Sequence, residues 1–319
     1  MINLKDIYQA RENIGGIIHH TPMFTSTSLN KLTGMKHYLK AENLQKTGSF
    51  KSRGAANKVN SLDSQESNGV ITVSSGNHGQ ATAYVAGALG IPAVIMVPEE
   101  VPRPKIEAAR SYGAEVIVEG SLNDLDEIIG RAIFIASERN LDIVHPFDDP
   151  LIISGQGTMG LEILEDLPDV DAVIVPVGGG GLIAGVAAAI KLSRPDVLVY
   201  GVGPHGACSV ERCFGEKEPV QLTDMAETIA DGIRTPVCGH FTLPVINEFV
   251  EDVITVTDEE IITSLRLIWE RCKLVVEPAG AVALAALLEG KFDLPVDSQV
   301  VSILSGGNVD ISRVSNFFI

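Results

Sequence analysis

Basic residues are scarce in this chain of 319 residues. Lysine and arginine together number 24, against 41 aspartates and glutamates, so the formal net charge is -17 at pH 7. Such a charge argues against nucleic acid or an anionic membrane as a partner, because both are themselves negative. A phosphate group bound by this protein must therefore be held by local backbone groups and helix dipoles, not by a general positive field.

Cysteine is also rare, and its spacing excludes a zinc site of the usual kind. The four cysteines are Cys208, Cys213, Cys238 and Cys272. This usage is typical of a reduced, intracellular protein, and we expect a cytoplasmic one. Residues 1–6 contain no apolar segment, so we expect no signal peptide.

One stretch lacks charge altogether. No lysine or arginine lies between Asp171 and Lys191, and residues 172–190 carry no charged side chain. The stretch is long enough to imitate a membrane span. Pro176 and four consecutive glycines interrupt it, however, so a buried strand, a loop and a buried helix explain it better. We therefore predict no membrane partner.

Short apolar segments alternate with helical ones through most of the chain. The predicted strands are residues 37–42, 69–73, 93–97, 115–118, 141–144, 172–175, 198–202 and 300–304. The predicted helices are residues 4–13, 55–59, 79–89, 104–112, 122–139, 182–192, 258–271 and 279–288. Such alternation, with nearly continuous apolar strands, indicates parallel sheets covered on both faces. We predict an α/β fold of two parallel-sheet domains: a large one, residues 1–54 and 146–319, and a small inserted one, residues 55–145.

Lys51 lies where the first predicted strand leads into a predicted helix. Ser49 has the side chain of a helix N-cap, which would place Lys51 in the first turn, at the positive end of the helix dipole. Such a position lowers the pKa of a lysine. Because a lysine must be neutral to attack an aldehyde, Lys51 suits Schiff-base chemistry. The alternative, for any lysine taken alone, is a solvated surface residue.

Three loops that follow predicted strands have residues suited to ligand binding. Residues 74–80 offer hydroxyls, an amide and helix N-terminal N–H groups that suit a carboxylate, although an ordinary capped turn has the same composition. The glycines at residues 178–181 would let the backbone approach a phosphate, and they match neither a Walker loop nor a good dinucleotide fingerprint. Ser305 follows the last strand, where its hydroxyl can meet a ring atom.

Together these stretches resemble the fold type II pyridoxal-phosphate enzymes. The matching motifs are Ser49-Phe50-Lys51, Ser74-Ser75-Gly76-Asn77-His78, Gly178-Gly179-Gly180-Gly181 and Ser305-Gly306-Gly307-Asn308. Within this fold type the chain is similar to the serine/threonine dehydratase and serine racemase group, from Ile7 onward. Further matching segments are residues 145–150, 155–158, 230–232 and 276–278. The resemblance implies a tryptophan synthase β-like fold with pyridoxal 5'-phosphate in the cleft between two domains.

The resemblance also implies a role for each matching residue. Lys51 would carry the cofactor as a Schiff base, Phe50 would pack on its ring, and Asn77 would hydrogen-bond the ring hydroxyl. The cofactor phosphate would be held by Gly178, Gly179, Gly180 and Gly181, with the helix dipole beginning near Leu182. Ser305 would face the pyridine nitrogen, and Gly232 and Glu277 would lie near the cofactor. The substrate carboxylate would be surrounded by Ser74, Ser75, Asn77 and His78.

A serine at the ring nitrogen makes the cofactor a weaker electron sink than an aspartate would, which favours expulsion of a β-substituent. We therefore predict β-elimination of water from L-threonine or L-serine, giving a 2-oxo acid and ammonia, with Lys51 removing the α-proton. Alternative substrates are other β-hydroxy amino acids, such as 3-hydroxyaspartate or phenylserine. The expected assembly is a homo-oligomer, either a dimer or a tetramer.

Serine racemisation is the rival activity. Racemases of this group have a serine at the position of Ser75 as a second acid/base, whereas many threonine dehydratases have alanine there. Ser75 is therefore either an acid/base or only a carboxylate binder. Racemases also bind a divalent cation through acids, which Gly203 and Ser209 replace here, with Glu211 as a candidate substitute. We accordingly predict no metal ligands. A third hypothesis, a non-catalytic binding protein, is disfavoured by the intact Lys51 and glycine loop.

Overall fold

The computed structural model describes residues 1–63, 65–101, 103–121 and 124–317. Within them the chain forms ten strands and twelve α-helices. The strands are β1 (Met23–Thr25), β2 (Lys36–Ala41), β3 (Val70–Val73), β4 (Ala93–Val97), β5 (Glu115–Val118), β6 (Asp142–Ile143), β7 (Ala172–Pro176), β8 (Leu198–Pro204), β9 (Asp252–Val256) and β10 (Gln299–Leu304). The helices are α1 (Leu4–Ile14), α2 (Thr27–Thr33), α3 (Lys51–Asn60), α4 (Asn77–Leu89), α5 (Arg103–Ser111), α6 (Leu125–Arg139), α7 (Pro150–Asp166), α8 (Gly181–Ser193), α9 (Ser209–Cys213), α10 (Thr242–Phe249), α11 (Asp258–Leu267) and α12 (Pro278–Leu288).

The strands form two sheets, which confirms the predicted α/β fold class. The larger has the order β1-β2-β10-β7-β8-β9, and all its pairings are parallel except the antiparallel pair of β1 and β2. The smaller has the order β5-β4-β3-β6 and is parallel throughout. From this division we propose the two domains expected from the sequence, residues 1–54 with 146–319, and residues 55–145.

Both faces of the large sheet are buried. On β7, Val173 and Val175 belong to one apolar cluster, whereas Ala172 and Ile174 belong to another. Alternate residues of a strand point to opposite faces of its sheet, so the two clusters are the two sides of one covered sheet. This arrangement explains why the strand is continuously apolar instead of alternating with polar residues.

All the strands and helices predicted from the sequence are present, with ends shifted by a few residues. The predicted helix at 122–139 begins at Leu125, and residues 122 and 123 lie outside the described part of the chain. The predicted helix at 258–271 is α11 followed by a π-helical segment, Ile268–Cys272. The uncharged stretch at 172–190 forms β7, the glycine loop and α8, as expected. Among the described residues, no helix combines the length and apolarity that a membrane crossing requires.

The prediction missed six elements, of which α7 is the longest; the others are β1, β9, α2, α9 and α10. Glycines at 155, 157 and 160 give α7 a low helix propensity. They are needed for close packing: a side chain on Gly155 would meet Gly54 Cα of α3 at 2.7 Å, and one on Gly157 would meet Gly185 O of α8 at 3.0 Å. Tertiary packing therefore overrides local propensity in α7.

Candidate active site

The loop before α3 is held against the loop that follows β10. The N–H of Phe50 donates to the carbonyl of Ser305 at 3.1 Å, and the N–H of Gly307 donates to the carbonyl of Gly48 at 2.9 Å. Gly48 has a φ of 73°, and a side chain there would meet Asn308 Oδ1 at 2.5 Å, so this close approach requires glycine. Two loops that are far apart in sequence thereby bring the start of α3 to Ser305.

The prediction that Ser49 caps α3 was wrong. Phe50 is the N-cap residue, and α3 has no side-chain cap. Ser49 is extended, with a φ of -160°, and it forms an isolated β-bridge with Gly306. Pairing between the two loops therefore replaces local capping. The Oγ of Ser49 is buried and has no hydrogen-bond partner among the described residues.

Lys51 begins α3 and is partly buried. Its Nζ donates a hydrogen bond of 2.7 Å to the carbonyl of Pro146 and lies 5.2 Å from the centre of the Phe50 ring. Burial lowers the pKa of Lys51 to about 8, and the charge of Glu277 opposes this shift. The main cause of the shift is therefore desolvation. Above this pKa most of the amine is neutral and nucleophilic.

The glycine loop, residues 178–181, connects β7 to α8. Within the described part of the chain, the backbone N–H groups of these glycines have no acceptor. Gly180 has a φ of 96°, and a side chain on Gly179 would meet the ring of Phe147 at 2.5 Å. Leu182 is buried in the first turn of α8. The loop therefore presents unpaired N–H groups at the positive end of a helix, an arrangement that suits a phosphate.

Asn77, the first residue of α4, joins two other loops. Its Nδ2 donates to Glu277 Oε1 at 2.7 Å, and its Oδ1 accepts from Asn308 Nδ2 at 2.8 Å. Asn308 Nδ2 also donates to the carbonyl of Thr47 at 2.7 Å. Burial raises the pKa of Glu277 to about 7, although the hydrogen bond from Asn77 opposes the shift. Gly232 lies beside this carboxylate, since a side chain there would come within 3.8 Å of Glu277 Oε1.

The loop between β3 and α4 is partly exposed. The Oγ of Ser74 accepts the N–H of Gly76 at 3.3 Å, and Ser75 is partly exposed beside it. The side chain of His78 is buried and hydrogen-bonded through Nε2 to the carbonyl of Val144 at 3.0 Å, and burial lowers its pKa to about 3. Any contact of His78 with a substrate carboxylate must therefore come from its backbone. Ser74 and Ser75 keep side chains that can reach a ligand.

Ser305 is 3% exposed, and its hydroxyl donates only a long hydrogen bond, 3.4 Å, to the carbonyl of Ala279. Its role at a ring nitrogen stays a prediction. The structure brings three further residues to the site, Pro146, Phe147 and Asn308, for which the sequence predicts no individual role. All three lie in segments that match the resembling family, but only their contacts reveal that they touch Lys51, the glycine loop and Asn77.

Comparison with known proteins identifies the family. The sequence profile of the pyridoxal-phosphate dependent enzymes matches residues 14–306. The chain belongs to this family. It is 44% identical over 319 residues to an L-threonine ammonia-lyase of Thermotoga maritima, with 98% of this chain and 77% of that protein covered. It is 42% identical over 317 residues to a serine racemase of Dictyostelium discoideum, with 98% and 97% covered.

Solved structures of this pyridoxal-phosphate enzyme family share the fold. The processed form of threonine deaminase isoform 2 from Solanum lycopersicum superposes with a TM-score of 0.92 at 33% identity, covering 99% of this chain and 93% of that one. A maize serine racemase superposes with a TM-score of 0.93 at 37% identity, covering 99% and 96%. The predicted family, the fold type II architecture and the pyridoxal-phosphate cofactor are therefore confirmed, and the relatives carry both activities expected from the sequence.

The residues present fit pyridoxal phosphate. The phosphate needs hydrogen-bond donors, and the glycine loop has N–H groups without acceptors in the described part of the chain. The aldehyde needs a neutral amine, and the pKa of Lys51 is lowered to about 8. The buried hydroxyl of Ser49 and the weakly bonded hydroxyl of Ser305 leave polar atoms available at the same place.

Residues 203–209 lack the acids that the resemblance to the racemases implies for a divalent cation. A side chain on Gly203 would collide with Cys208 Sγ, and burial raises the pKa of that thiol to about 11. The hydroxyl of Ser209 is buried without a hydrogen-bond partner among the described residues, whereas Glu211 is exposed. In the described ranges, no three His, Cys, Asp or Glu side chains are grouped to hold a metal.

Proposed function

We propose that this enzyme deaminates L-threonine and L-serine by β-elimination of water, producing a 2-oxo acid and ammonia. The observation that carries the proposal is the position of Lys51. Its desolvated amine donates to the carbonyl of Pro146, whose neighbour Phe147 contacts the glycine loop. Ser49 and Phe50, just before it, pair with the loop that follows β10. Threonine ammonia-lyase activity in a relative 44% identical to this chain supports the same reaction.

In this proposal Lys51 attaches the cofactor and then takes the α-proton of the substrate. Pyridoxal phosphate, when bound, withdraws electrons from the α-carbon and thereby acidifies its proton. Phe50 would pack against the cofactor ring, and Asn77, oriented by Glu277 and Asn308, would hydrogen-bond its hydroxyl. Gly232 borders Glu277 and leaves room beside it.

The remaining residues are assigned to the cofactor phosphate, to the pyridine nitrogen and to the substrate carboxylate. Gly178 to Gly181 bind the phosphate through backbone N–H groups, and Ser305 gives the pyridine nitrogen a neutral hydroxyl. Ser74, Ser75, Asn77 and the backbone of His78 surround the substrate carboxylate at the N-terminus of α4. Because this carboxylate sits at a helix N-terminus, a chain with a strongly negative net charge can still bind an anionic substrate.

Serine racemase activity is the second candidate, and Ser75 is the observation in its favour. Its side chain is partly exposed in the loop proposed to hold the substrate. We rank racemisation second because residues 203–209 lack the acids and the space for a cation. The choice among threonine, serine, 3-hydroxyaspartate and phenylserine rests on assay.

A single assay separates these functions. Purified enzyme loaded with pyridoxal phosphate is incubated with each β-hydroxy amino acid, and 2-oxo acid and D-amino acid are both quantified. We expect 2-oxo acid to exceed D-amino acid for L-threonine or L-serine. Mainly D-serine would make this a racemase, and no product from any of the compounds would favour a binding protein.

We also propose that the chain acts as a homo-oligomer, a dimer or tetramer, in the cytoplasm. All four cysteines are unpaired thiols, as a reducing compartment requires. Light scattering coupled to size-exclusion chromatography measures the assembly directly, and a mass of one chain at micromolar concentration would contradict the oligomer.

A further inference from the structure

His145 lies at the proposed site and has no role in the function proposed above. It follows β6, which pairs in parallel with β3, and β3 ends at the loop proposed to bind the substrate carboxylate. The neighbouring residue, Pro146, accepts the hydrogen bond from Lys51 Nζ. The next residue, Phe147, packs on the glycine loop. His145 therefore lies close to the loop proposed to bind the carboxylate, to Lys51 and to the glycine loop.

The hydrogen bonds of His145 determine where its proton resides. Its Nδ1 accepts the N–H of Asp148 at 2.7 Å and the N–H of Phe147 at 3.3 Å. A neutral imidazole whose Nδ1 is an acceptor carries its proton on Nε2. Burial and the charge of Lys51 lower the pKa of His145, which keeps the ring neutral, although Asp148 and Asp149 act in the opposite direction.

The Nε2–H of His145 is an unused donor. It has no hydrogen-bond partner among the described residues, and the side chain is partly exposed. The ring is fixed by an edge-to-face contact with Phe147, with the ring centres 4.7 Å apart and the planes at 82°. His78 differs in this respect, because its Nε2 is already bonded to the carbonyl of Val144. Of these two neighbouring histidines, only His145 can offer a side-chain donor to a ligand.

The rest of the site leaves one substrate group without a partner. The α-carbon carries an amine, which joins the cofactor at the position of Lys51, and a carboxylate, which is assigned to the loop of Ser74 and Ser75. It also carries the β-carbon with its hydroxyl, for which none of the assigned residues is a donor. His145 is bonded in sequence to Pro146, which accepts the hydrogen bond from Lys51 Nζ, and the ring lies close enough to Lys51 for the charge of that lysine to lower the pKa of His145.

We propose that Nε2–H of His145 donates a hydrogen bond to the β-hydroxyl of the amino-acid substrate and so selects β-hydroxy amino acids over those without an acceptor at the β-carbon. The inference rests on the proposed function of the site. His145 keeps its proton throughout, so it orients and polarises the Cβ–O bond without acting as an acid. The hydroxyl leaves as water with the proton that Lys51 took from the α-carbon. A site that hydrogen-bonds a substrate hydroxyl discriminates against analogues that lack it, because the donor then has no partner on the bound analogue.

Two substitutions separate a substrate contact from a purely structural role. In His145→Asn, the amide oxygen can replace Nδ1 as acceptor for the N–H groups of Phe147 and Asp148, but the donor at the distance of Nε2 is lost. In His145→Gln, the amide nitrogen can replace Nε2–H, but the acceptor that orders the backbone turn is lost. His240→Asn is the matched control, since His240 is an exposed histidine.

Each variant is assayed with L-serine and with β-chloro-L-alanine, whose chlorine is a poor acceptor and leaves without needing a hydrogen bond. We expect His145→Asn to lower kcat/KM for L-serine about tenfold and to leave β-chloro-L-alanine within about twofold. We expect His145→Gln to recover most of the L-serine rate, and His240→Asn to change neither. Cofactor content and the fluorescence of Trp269, the only tryptophan, check that each variant is folded and loaded.

The ratio of the L-serine rate to the β-chloro-L-alanine rate is measured on the same preparation of each variant, so it does not depend on the fraction of folded enzyme. A ratio unchanged in His145→Asn, or a His145→Gln that is worse than His145→Asn on both compounds, would mean that the ring only orders the loop and would overturn the inference alone. A wild type inactive on both compounds would instead overturn the proposed function.

Discussion

Two loops leave neighbouring strands at the same edge of the large sheet and have opposite contents. β7 and β8 pair in parallel, with Pro176 opposite Val202. The loop after β7 consists of four glycines whose N–H groups have no acceptor in the described part of the chain. At the end of β8, the space in front of Gly203 is filled by the thiol of Cys208. Ser209 stands where the resemblance to the racemases implies an acid.

From this difference we expect ligand sites on one scaffold to be set loop by loop. Both loops lie at the carboxyl edge of a parallel sheet, where ligands of α/β proteins bind, so position alone cannot distinguish them. Side-chain chemistry does: glycines expose backbone donors for an anion, whereas a buried neutral thiol and a hydroxyl offer no charge for a divalent cation. We therefore expect the cofactor to be essential and the cation dispensable.

The largest loss of activity should come from replacing Lys51, because the cofactor held at the glycine loop is attached through this residue. Lys51→Ala removes the amine that holds the cofactor and takes the α-proton, so kcat should fall by at least about a thousandfold. Borohydride reduction followed by peptide mapping should label Lys51 in the wild type. Lys46→Ala, on the same loop, is the control and should keep activity. A label on Lys40, Lys46 or Lys58 would show that the wrong lysine has been assigned.

Gly179→Asp tests the glycine loop itself. The new side chain would meet the ring of Phe147 and place a negative charge beside the phosphate, so cofactor affinity should fall by roughly a hundredfold. Cofactor content is measured by absorbance after dialysis. Gly130→Asp is the matched control, because a side chain at Gly130 meets no atom within 4 Å. Unchanged cofactor content in Gly179→Asp would place the phosphate elsewhere.

Ser75→Ala separates the two candidate reactions. Racemisation needs a group that returns a proton to the opposite face of the α-carbon, whereas elimination needs only Lys51. D-serine formation should therefore disappear, while 2-oxo acid production falls by no more than about tenfold. Both products are measured in the same reaction. Equal loss of both would show that Ser75 binds the carboxylate and has no acid/base role.

The pH dependence of cofactor attachment follows from the environment of Lys51. Burial lowers its pKa to about 8, and only the neutral amine attacks the aldehyde. The rate constant for pyridoxal-phosphate uptake by the cofactor-free enzyme should therefore rise about tenfold per pH unit below that pKa and level off above it. Stopped-flow absorbance measures the rate. A rise that continues unbroken to pH 10 would indicate a solvated lysine with its ordinary pKa.

The smallest effect on activity should be that of removing divalent cations, which tests the segment at residues 203–209. Because residues 203–209 offer neither acids nor space, EDTA should change the 2-oxo acid rate by less than about twofold, whereas a site that held a cation would respond strongly. The control is the same enzyme after gel filtration into cation-free buffer with magnesium or calcium added back. Strong inhibition by EDTA that either ion reverses would mean that a cation is bound after all.

Much of the fold could be predicted, because parallel strands buried on both faces are continuously apolar and some of the helices between them end at glycines, as α4 does at Gly90. The prediction failed where packing overrides propensity. The glycines of α7 weaken a helix locally, yet they allow it to pack against α3 and α8, and no local pattern reports that contact. The prediction that Ser49 caps α3 failed for a similar reason, since Ser49 pairs instead with Gly306, in a loop more than 250 residues away in the sequence.

The sequence by itself determined the family, the cofactor and the lysine expected to carry it, because four motifs between Ser49 and Asn308 resemble those of the fold type II pyridoxal-phosphate enzymes in order and spacing. Only the tertiary structure decided how those residues are adjusted. Burial lowers the pKa of Lys51 and raises that of Glu277. The Nε2 of His78 is occupied by a hydrogen bond to the carbonyl of Val144, whereas His145 accepts through Nδ1 and keeps an unused donor at Nε2. These pKa values and hydrogen bonds depend on desolvation and on neighbours from distant segments, neither of which can be seen in the amino-acid sequence alone.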